Sequence, residues 1–285
     1  MKRFMTTLPV LLTIACGGSG DRTVIQNRGS DTLVNVAQAW AERYGQINPN
    51  VAVAVSGGGS GTGISAMING TIDIANSSRA MRESEAEAAR AGGNDPVEHV
   101  VGFDALAIFL HPDNPISSVS MEQLADIYGE NGTAETWSDL GVSVPGCGSD
   151  EIVRVSRQNN SGTYAYFQEA VLGESEFKLG SRDMNGSSEV VELVENTPCA
   201  IGYSGLAYAS DHVKMPCVGP EGACVAPSVP AAIDGSYPIA RPLFMYTAGE
   251  PEGAVGEYMS WILSDEGQCI IQDMGYAPAT QVTCG

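Results

Sequence analysis

The chain has 285 residues and a formal net charge of −20 at pH 7. Its length allows two domains of ordinary size, and its few charged and moderately many apolar residues indicate a globular protein. The negative charge argues against nucleic acid as a partner, because nucleic acid attracts basic surfaces. It does not exclude a small anion, since a few oriented dipoles and one or two arginines can bind an anion locally.

The N-terminus has the pattern of an export signal, which we place at residues 1–16. Lys2 and Arg3 precede a short apolar run that cannot span a bilayer. Cys16 follows a small residue and precedes a Gly/Ser-rich stretch. This resembles a bacterial lipoprotein signal, in which Cys16 carries the lipid, although Thr13 departs from that pattern. A cleaved signal with an incidental cysteine is the alternative. We expect a periplasmic or cell-surface protein, lipid-anchored to the outer face of the cytoplasmic membrane.

Six cysteines remain after Cys16, and an even number in an exported chain predicts disulfides. Cys217–Cys224 is the favoured pair, because a Gly/Pro turn separates the two residues. Cys269–Cys284 would tie down the C-terminus, and the remaining candidate pair is Cys147–Cys199. Spacing alone does not fix this connectivity. The scattered histidines and missing Cys-x-x-Cys motif predict no metal site.

The first part of the chain alternates short strands with amphipathic helices. Residues 23–25 are typical of a strand, and the turn Gly29-Ser30-Asp31-Thr32 follows them. Apolar residues then recur at spacings of three and four, which predicts a helix. The expected apolar face consists of Leu33, Val36, Ala37, Trp40 and Tyr44.

A glycine-rich turn follows the next predicted strand, residues 51–55. The turn is Gly57-Gly58-Gly59-Ser60-Gly61-Thr62-Gly63, and a helical apolar face begins at Ile64. A strand enters this turn directly and a helix leaves it directly, so we reject a flexible linker. A backbone without Cβ atoms at a helix start suits close approach to an anion.

A third turn, Asn76-Ser77-Ser78-Arg79, follows a strand predicted at residues 71–75. Arg79 is a candidate ligand because it comes directly after a strand and two serines, and a solvated surface charge is the alternative. Ser84 with Glu87 has the pattern of a capping box that opens the next helix.

The fourth turn, Arg157 to Thr163, lies between a strand predicted at residues 152–156 and a helix. The first N–H groups of a helix lack partners and lie at the positive end of its dipole. Gly162 permits close approach, Ser161 and Thr163 supply hydroxyls, and Arg157 supplies a planar cation. Together these groups are typical of a site for a small oxyanion. An ordinary capped helix beside a surface arginine is the alternative.

These four turns, in this order, resemble the phosphate-binding subunit of the bacterial phosphate ABC transporter, a class II periplasmic-type binding protein. Residues 100–112 are similar to the family's crossing strand, with its turn at Asn114-Pro115. Residues 252–276 are similar to its C-terminal helix. The similarity spans nearly everything after the signal, and the order of the four motifs is what makes it specific.

The resemblance implies an α/β, two-lobed periplasmic-binding-protein-like fold, in which each lobe is a sheet flanked by helices and two hinge strands cross between the lobes. We expect residues 21–103 plus 247–285 in lobe 1 and residues 104–246 in lobe 2. The crossings are expected near Phe103-Asp104 and near residues 242–246. The alternation of strands and helices agrees with such sheets, and ligands in them bind at the carboxyl ends of strands.

The resemblance also implies the ligand-binding residues. From the first lobe these are Thr32, Ser60 and Ser78, and from the second they are Arg157, Ser161, Gly162 and Thr163. We add Ser30, Thr62 and Arg79 because they neighbour this set in the chain. Many family members carry, where Ser78 stands, an aspartate that accepts the proton of hydrogen phosphate. Asp31 is the candidate substitute here, and an ordinary helix N-cap is the alternative.

The implied function is high-affinity binding of inorganic phosphate outside the cytoplasm and its delivery to the permease subunits of an ABC transporter. The resemblance implies a monomer without catalytic activity or cofactor. One alternative is another oxyanion: sulfate, arsenate or molybdate. A second is a hydrolase with Ser161 or Ser60 as nucleophile and His111 or His99 as base. A third is an adhesion or signalling module that has lost the anion.

Overall fold

The structure is a computed structural model that describes residues 22–173, 175–220 and 222–285. The predicted signal and Cys16 lie outside these residues. The strands are β1 (Thr23–Gly29), β2 (Val51–Ser56), β3 (Ile74–Ser77), β4 (Pro96–Leu110), β5 (Ser118–Val119), β6 (Val153–Arg157), β7 (Arg182–Met184), β8 (Ala200–Gly205), β9 (Cys217–Val218), β10 (Ala240–Ala248) and β11 (Ala277–Pro278). The α-helices are α1 (Asp31–Ile47), α2 (Ser60–Ile68), α3 (Glu83–Ala91), α4 (Met121–Tyr128), α5 (Gly162–Phe167), α6 (Ser187–Glu195), α7 (Val229–Ile233), α8 (Gly253–Ile262) and α9 (Asp265–Asp273).

The main sheet is mixed and has the strand order β2-β1-β3-β10-β4-β8-β6-β7, with β11 also paired to β4. At one end β1, β2 and β3 are parallel, and at the other β6, β7 and β8 are parallel. Between these groups, β10 runs antiparallel to both β3 and β4, and β4 runs antiparallel to β8. We call the β1–β3 group with its helices the first lobe and the β6–β8 group with its helices the second lobe.

Strand β4 belongs to both lobes. Residues 96–105 pair with β10, and residues 106–110 pair with β8. The return strand β10 pairs with β3 from Phe244 to Thr247. The division of the chain into residues 21–103 plus 247–285 and residues 104–246 remains our proposal. β10 pairs with β4 from Ala240 onward, and the expected crossing at residues 242–246 also remains our proposal.

Each lobe has its own apolar core. In the first, the predicted face of α1 is buried as expected, and Trp40 also donates a hydrogen bond from its indole N–H to Gly267 O at 2.7 Å. This bond fixes the C-terminal segment against the N-terminal helix. In the second lobe, Phe167 stacks on Tyr203 with ring centroids 3.9 Å apart. Phe167 lies on α5, so this stacking anchors the helix that follows the fourth turn.

The C-terminal helical region differs from the single helix expected over residues 252–276. It consists of α8 and α9, which Ser264 separates with extended backbone angles of φ −76° and ψ 166°. The Oγ of Ser264 donates to Trp261 O at 2.6 Å. A polar residue that binds its own preceding turn interrupts a helix, and sequence periodicity does not reveal the interruption.

The start of α3 also differs from the prediction. The helix begins at Glu83, and the backbone N–H of Arg82 donates to the Glu85 carboxylate at 2.9 Å. The predicted capping box of Ser84 and Glu87 is therefore wrong by two residues. The Glu85 carboxylate is held at this helix start by a second contact, because Arg79 binds it as well.

All three candidate cysteine pairs are disulfides in the structure: Cys147–Cys199, Cys217–Cys224 and Cys269–Cys284. Cys147–Cys199 joins the loop before β6 to the start of β8, and Cys269–Cys284 fastens the C-terminus to α9. None of the helices in the described ranges is long and apolar enough to cross a membrane.

Removing the Cys147–Cys199 bond should destabilise the protein more than removing Cys217–Cys224, because the two bonds close loops of 52 and 7 residues. The loss of loop-closure entropy predicts about 4 kcal/mol for the longer loop and about 2 kcal/mol for the shorter. Urea unfolding of the two double Cys→Ala variants measures both free energies of unfolding. Equal losses, or a larger loss for the shorter loop, would contradict this expectation.

Candidate functional site

The four polar turns meet between the lobes. In the first lobe they follow β1, β2 and β3, and in the second the turn follows β6. Parallel strands place their carboxyl ends at one sheet edge, which is where α/β proteins bind ligands. The sequence predicted this convergence from motif order, and the contacts below place it in three dimensions.

Three serine hydroxyls of the first lobe form a buried cluster. The Oγ of Ser30 donates to Ser78 Oγ at 2.9 Å, and the N–H of Ser78 donates to Ser60 Oγ at 3.0 Å. Each of these residues is at most 2% exposed. Three hydroxyls in contact with one another, and out of reach of bulk water, provide rotatable donors for an oxygen-rich guest.

The second lobe touches this cluster directly. Thr32 Oγ1 and Thr163 Oγ1 lie 3.0 Å apart across the lobes. A Cβ atom added to Gly162 would lie 2.6 Å from Ser78 Oγ and closer still to Ser60 Oγ. Glycine is therefore required at position 162 for the lobes to approach this closely.

Ser161 lies in the same turn and has a different role. Its Oγ accepts hydrogen bonds from the N–H groups of Thr163 and Tyr164, so it is the N-cap of α5. These bonds use the Ser161 hydroxyl as an acceptor, and its O–H remains available as a donor.

A guanidinium that sequence analysis missed lies among the hydroxyls. Arg241, on β10, donates from Nη2 to Thr163 Oγ1 at 3.1 Å and to Thr32 Oγ1 at 3.4 Å. Its Nη1 donates to Ser78 O at 3.1 Å. It also pairs with Asp104 on β4, with Nη2 2.8 Å from Oδ2. One cation thus contacts polar groups from both lobes.

Asp104 is completely buried with its partner. Removal from water raises the pKa of Asp104, and the adjacent Arg241 guanidinium opposes that rise. Its Oδ1 has no hydrogen-bond partner among the described residues. Both residues were detectable as lone charges within apolar strand patterns, which is a signal for a paired or functional group.

Arg157 is buried as well, and both of its Nη groups have partners in place, while its Nε has none among the described residues. Nη1 donates to Ser187 Oγ and Nη2 to Asn185 O, both at 2.9 Å, and Nη2 lies 3.5 Å from Asp31 Oδ2. Burial lowers the pKa of Arg157, and the Asp31 carboxylate opposes this. The guanidinium therefore fixes the turn before α6.

Asp31 connects the two lobes. Its Oδ2 accepts a hydrogen bond of 2.6 Å from the backbone N–H of Ser187, the first residue of α6. A carboxylate at a helix N-terminus is stabilised by the helix dipole. The predicted role of Asp31, as the acceptor of a ligand proton, would compete with this bond.

Arg79 and Thr62 are directed away from the hydroxyl cluster. Arg79 forms a two-pronged ion pair with Glu85, with nitrogen–oxygen distances of 2.7 and 2.8 Å. Thr62 Oγ1 donates to Gly58 O at 2.6 Å. Arg79 and Thr62 lie close to the predicted ligand residues in the chain. Their side chains nevertheless make other contacts, because successive residues in a turn project in different directions.

Asn160, a residue of the fourth turn that the sequence did not single out, binds the glycine-rich turn of the other lobe. Its Nδ2 donates to Gly58 O at 2.9 Å, and its carbonyl accepts the Gly61 N–H at 3.0 Å. Gly59 has φ +95°, and a Cβ there would lie 2.6 Å from Asn160 O. The glycine run therefore permits contact between lobes.

The two histidines considered as bases lie in other contacts. His99 Nε2 is 3.0 Å from Thr247 Oγ1, and His111 Nδ1 accepts from the Asp113 N–H at 3.2 Å. In the described ranges no group of three or more His, Cys, Asp or Glu side chains is arranged to hold a metal ion.

Comparisons with known proteins agree with this geometry. Residues 17–266 match the profile of the PBP superfamily domain. A Pseudomonas aeruginosa protein named phosphate-binding protein PstS is 34% identical over 278 residues, covering 93% of this chain and 84% of the relative. A Bacillus subtilis protein of the same name is 32% identical over 266 residues, covering 93% and 82% respectively.

Solved structures share the fold. One from Clostridium perfringens, described as a candidate phosphate ABC transporter substrate-binding protein with bound phosphate, has a TM-score of 0.80 at 28% identity. The alignment covers 90% of this chain and 100% of that one. An ABC-type phosphate transport receptor from Vibrio cholerae has a TM-score of 0.72 at 26% identity, with the same coverage. The chain belongs to the PBP superfamily, and its predicted two-lobed α/β fold is confirmed.

The role of Arg79 in its own lobe has a pH signature. Burial by itself would raise the pKa of the Glu85 carboxyl, but hydrogen bonds from Arg79 and the Arg82 N–H hold that pKa below its ordinary value of 4.5. A lowered pKa in the folded state stabilises the protein above the unfolded pKa, and this stability is lost as the pH falls through the folded pKa. Glu85→Gln should therefore lower Tm at pH 7 and flatten the decline of Tm below pH 4.5.

Glu83→Gln is the matched control for that series, because Glu83 is 74% exposed and pairs with an exposed Arg90. Its pH profile of Tm should follow the wild type closely. If Glu85→Gln also follows the wild type, the Arg79–Glu85 pair has no part in stability.

Proposed function

We propose that this protein binds inorganic phosphate between its two lobes and delivers it to the permease subunits of an ABC transporter. The observation that carries the proposal is the 3.0 Å approach of Thr32 Oγ1 to Thr163 Oγ1, beside the Arg241 guanidinium. Hydroxyls from both lobes and a buried cation meet at one point, as a small oxyanion requires. The relatives named for phosphate binding and the phosphate-bound neighbour support this choice of ligand.

We propose a narrower ligand set than the sequence suggested. Backbone N–H groups at the starts of the helices and hydroxyls beside them would donate to the phosphate oxygens. The proposed residues are Ser30, Thr32, Ser60, Ser78, Ser161, Gly162, Thr163 and Arg157. Asp31, Thr62 and Arg79 would instead support the lobes, which fits their contacts with Ser187, Gly58 and Glu85.

Phosphate would act by shifting the balance between open and closed lobes. In the closed form the guest contacts donors of both lobes, so it binds that form more tightly and raises its population. The contacts of Asn160 with Gly58 and Gly61 add to closure without touching the guest. The closed form would be the one that the permease recognises.

We propose that the mature protein lies outside the cytoplasm, attached through a lipid on Cys16, and acts as a monomer. The three disulfides support an oxidising compartment. We also propose that it is a binding protein without catalytic activity. The contacts of His99 with Thr247 and of His111 with Asp113 support this, since a hydrolase would need a base beside its serine.

Ligand-stripped wild-type protein should release or absorb heat when phosphate is added, and its Tm should rise with phosphate concentration. Removing one donor to a charged guest should weaken binding by about 1.5–3 kcal/mol, or roughly 10- to 150-fold. We expect this loss for Thr32→Ala and Thr163→Val. Thr71→Val is the control, because that hydroxyl binds Ala66 O within the first lobe.

No heat and no shift in Tm with phosphate would refute phosphate binding. Competition by sulfate, arsenate and molybdate in the same calorimeter identifies the guest if it is another oxyanion. If one of these anions binds more tightly than phosphate, that anion would replace phosphate as the proposed guest.

Gly162→Ala should prevent phosphate-dependent closure, because the new methyl group would overlap Ser60 Oγ and Ser78 Oγ across the lobes. Small-angle X-ray scattering should show a decrease in radius of gyration with phosphate for the wild type and none for the variant. Gly148→Ala is the control, since a Cβ there meets no atom within 4 Å. A variant that contracts like the wild type would show that this contact does not limit closure.

A further inference from the structure

Arg241 and Asp104 occupy the two strands that lie between the lobes. They are direct cross-strand partners in the β4–β10 ladder, and the side chains of both are 0% exposed. Burying two charges is unfavourable unless each is well paired. This pair therefore has either a purely structural role or a role toward a charged guest.

The partners of Arg241 favour a guest. Asp104 and Ser78 O hold the guanidinium from the hinge and the first lobe. The Nη2 of Arg241, which binds Asp104, also donates to Thr32 Oγ1 and Thr163 Oγ1, one hydroxyl from each lobe. A purely structural ion pair would not need to lie where the hydroxyls of the two lobes converge.

The Nη groups of the other buried arginines of the described ranges bind elsewhere, although the Nε atoms of Arg154 and Arg157 have no partner there. Arg79, Arg154 and Arg157 are each under 9% exposed. Their main partners are Glu85 for Arg79, Glu135 for Arg154, and Asp31, Asn185 and Ser187 for Arg157. Among the four, Arg241 is the one that contacts hydroxyls of both lobes.

We propose that Arg241 is the principal cation that contacts the bound oxyanion, and that Asp104 is the positioning residue that holds its guanidinium toward the site. This inference rests on the proposed anion-binding function. It assigns the principal cation to the hinge strands, and Arg157 of the fourth turn becomes the secondary one. Most partners of Arg241 belong to the hinge or the first lobe, so the cation is in place before the second lobe closes.

The decisive binding experiment removes both charges together, because Arg241→Gln alone would leave a buried carboxylate unpaired and could unfold the protein. The double variant Arg241→Gln/Asp104→Asn should lose phosphate affinity by about 100-fold or more, since charge-assisted bonds to the guest are lost. Arg79→Gln/Glu85→Gln is the matched control, a partly buried pair in the first lobe, and should bind phosphate as the wild type does.

The conservative variant separates charge from structure. Arg241→Lys keeps a cation beside Asp104 without the planar fork, so it should recover at least tenfold of the affinity lost in the double variant. Phosphate titrations by calorimetry measure all four proteins. A phosphate affinity of the double variant within about threefold of the wild type, or no recovery of affinity in Arg241→Lys, would overturn the assignment.

A crystal structure of the wild type with its bound oxyanion tests the contact independently of any variant. An Nη atom of Arg241 should lie within hydrogen-bond distance of an anion oxygen. If Arg157 makes that contact and Arg241 does not, the inference is wrong although the proposed function stands. If the wild type binds no oxyanion at all, both fail.

Discussion

The structure depends on a buried ion pair between the two strands that join its lobes. Asp104 and Arg241 face each other in the β4–β10 ladder, and the guanidinium continues from that pair to Thr32 and Thr163. A charge in a protein interior must be compensated nearby. The pair therefore fixes the hinge strands relative to each other and places a permanent cation between the lobes.

Contact between the lobes is close because glycine and hydroxyl groups line it. Gly59 and Gly162 lie where a Cβ would overlap an atom of the opposite lobe. Asp31 and Asn160 then bind backbone groups across the gap. An acidic protein can in this way hold an anion, because oriented donors act over short distances while the surface charge is screened by salt.

Sequence patterns predicted the secondary structure around the site well. The turns after β1, β2, β3 and β6, the buried face of α1 and the three disulfides follow from local spacing, composition and a family resemblance. Side-chain direction is what local patterns leave open. Arg79 was grouped with the site because it follows Ser78, and its guanidinium binds Glu85. The Glu85 carboxylate also caps α3, which begins at Glu83, two residues earlier than predicted.

The sequence alone determined that strand-turn-helix units, opened by Gly, Ser and Thr, would present unpaired N–H groups and hydroxyls. These features depend on residues a few positions apart, and helical periodicity records them. The tertiary structure alone decided which cation joins them, since Arg241 meets Asp104 across 137 residues. Such a pairing follows from the order of strands in the sheet, which no local pattern in the chain contains.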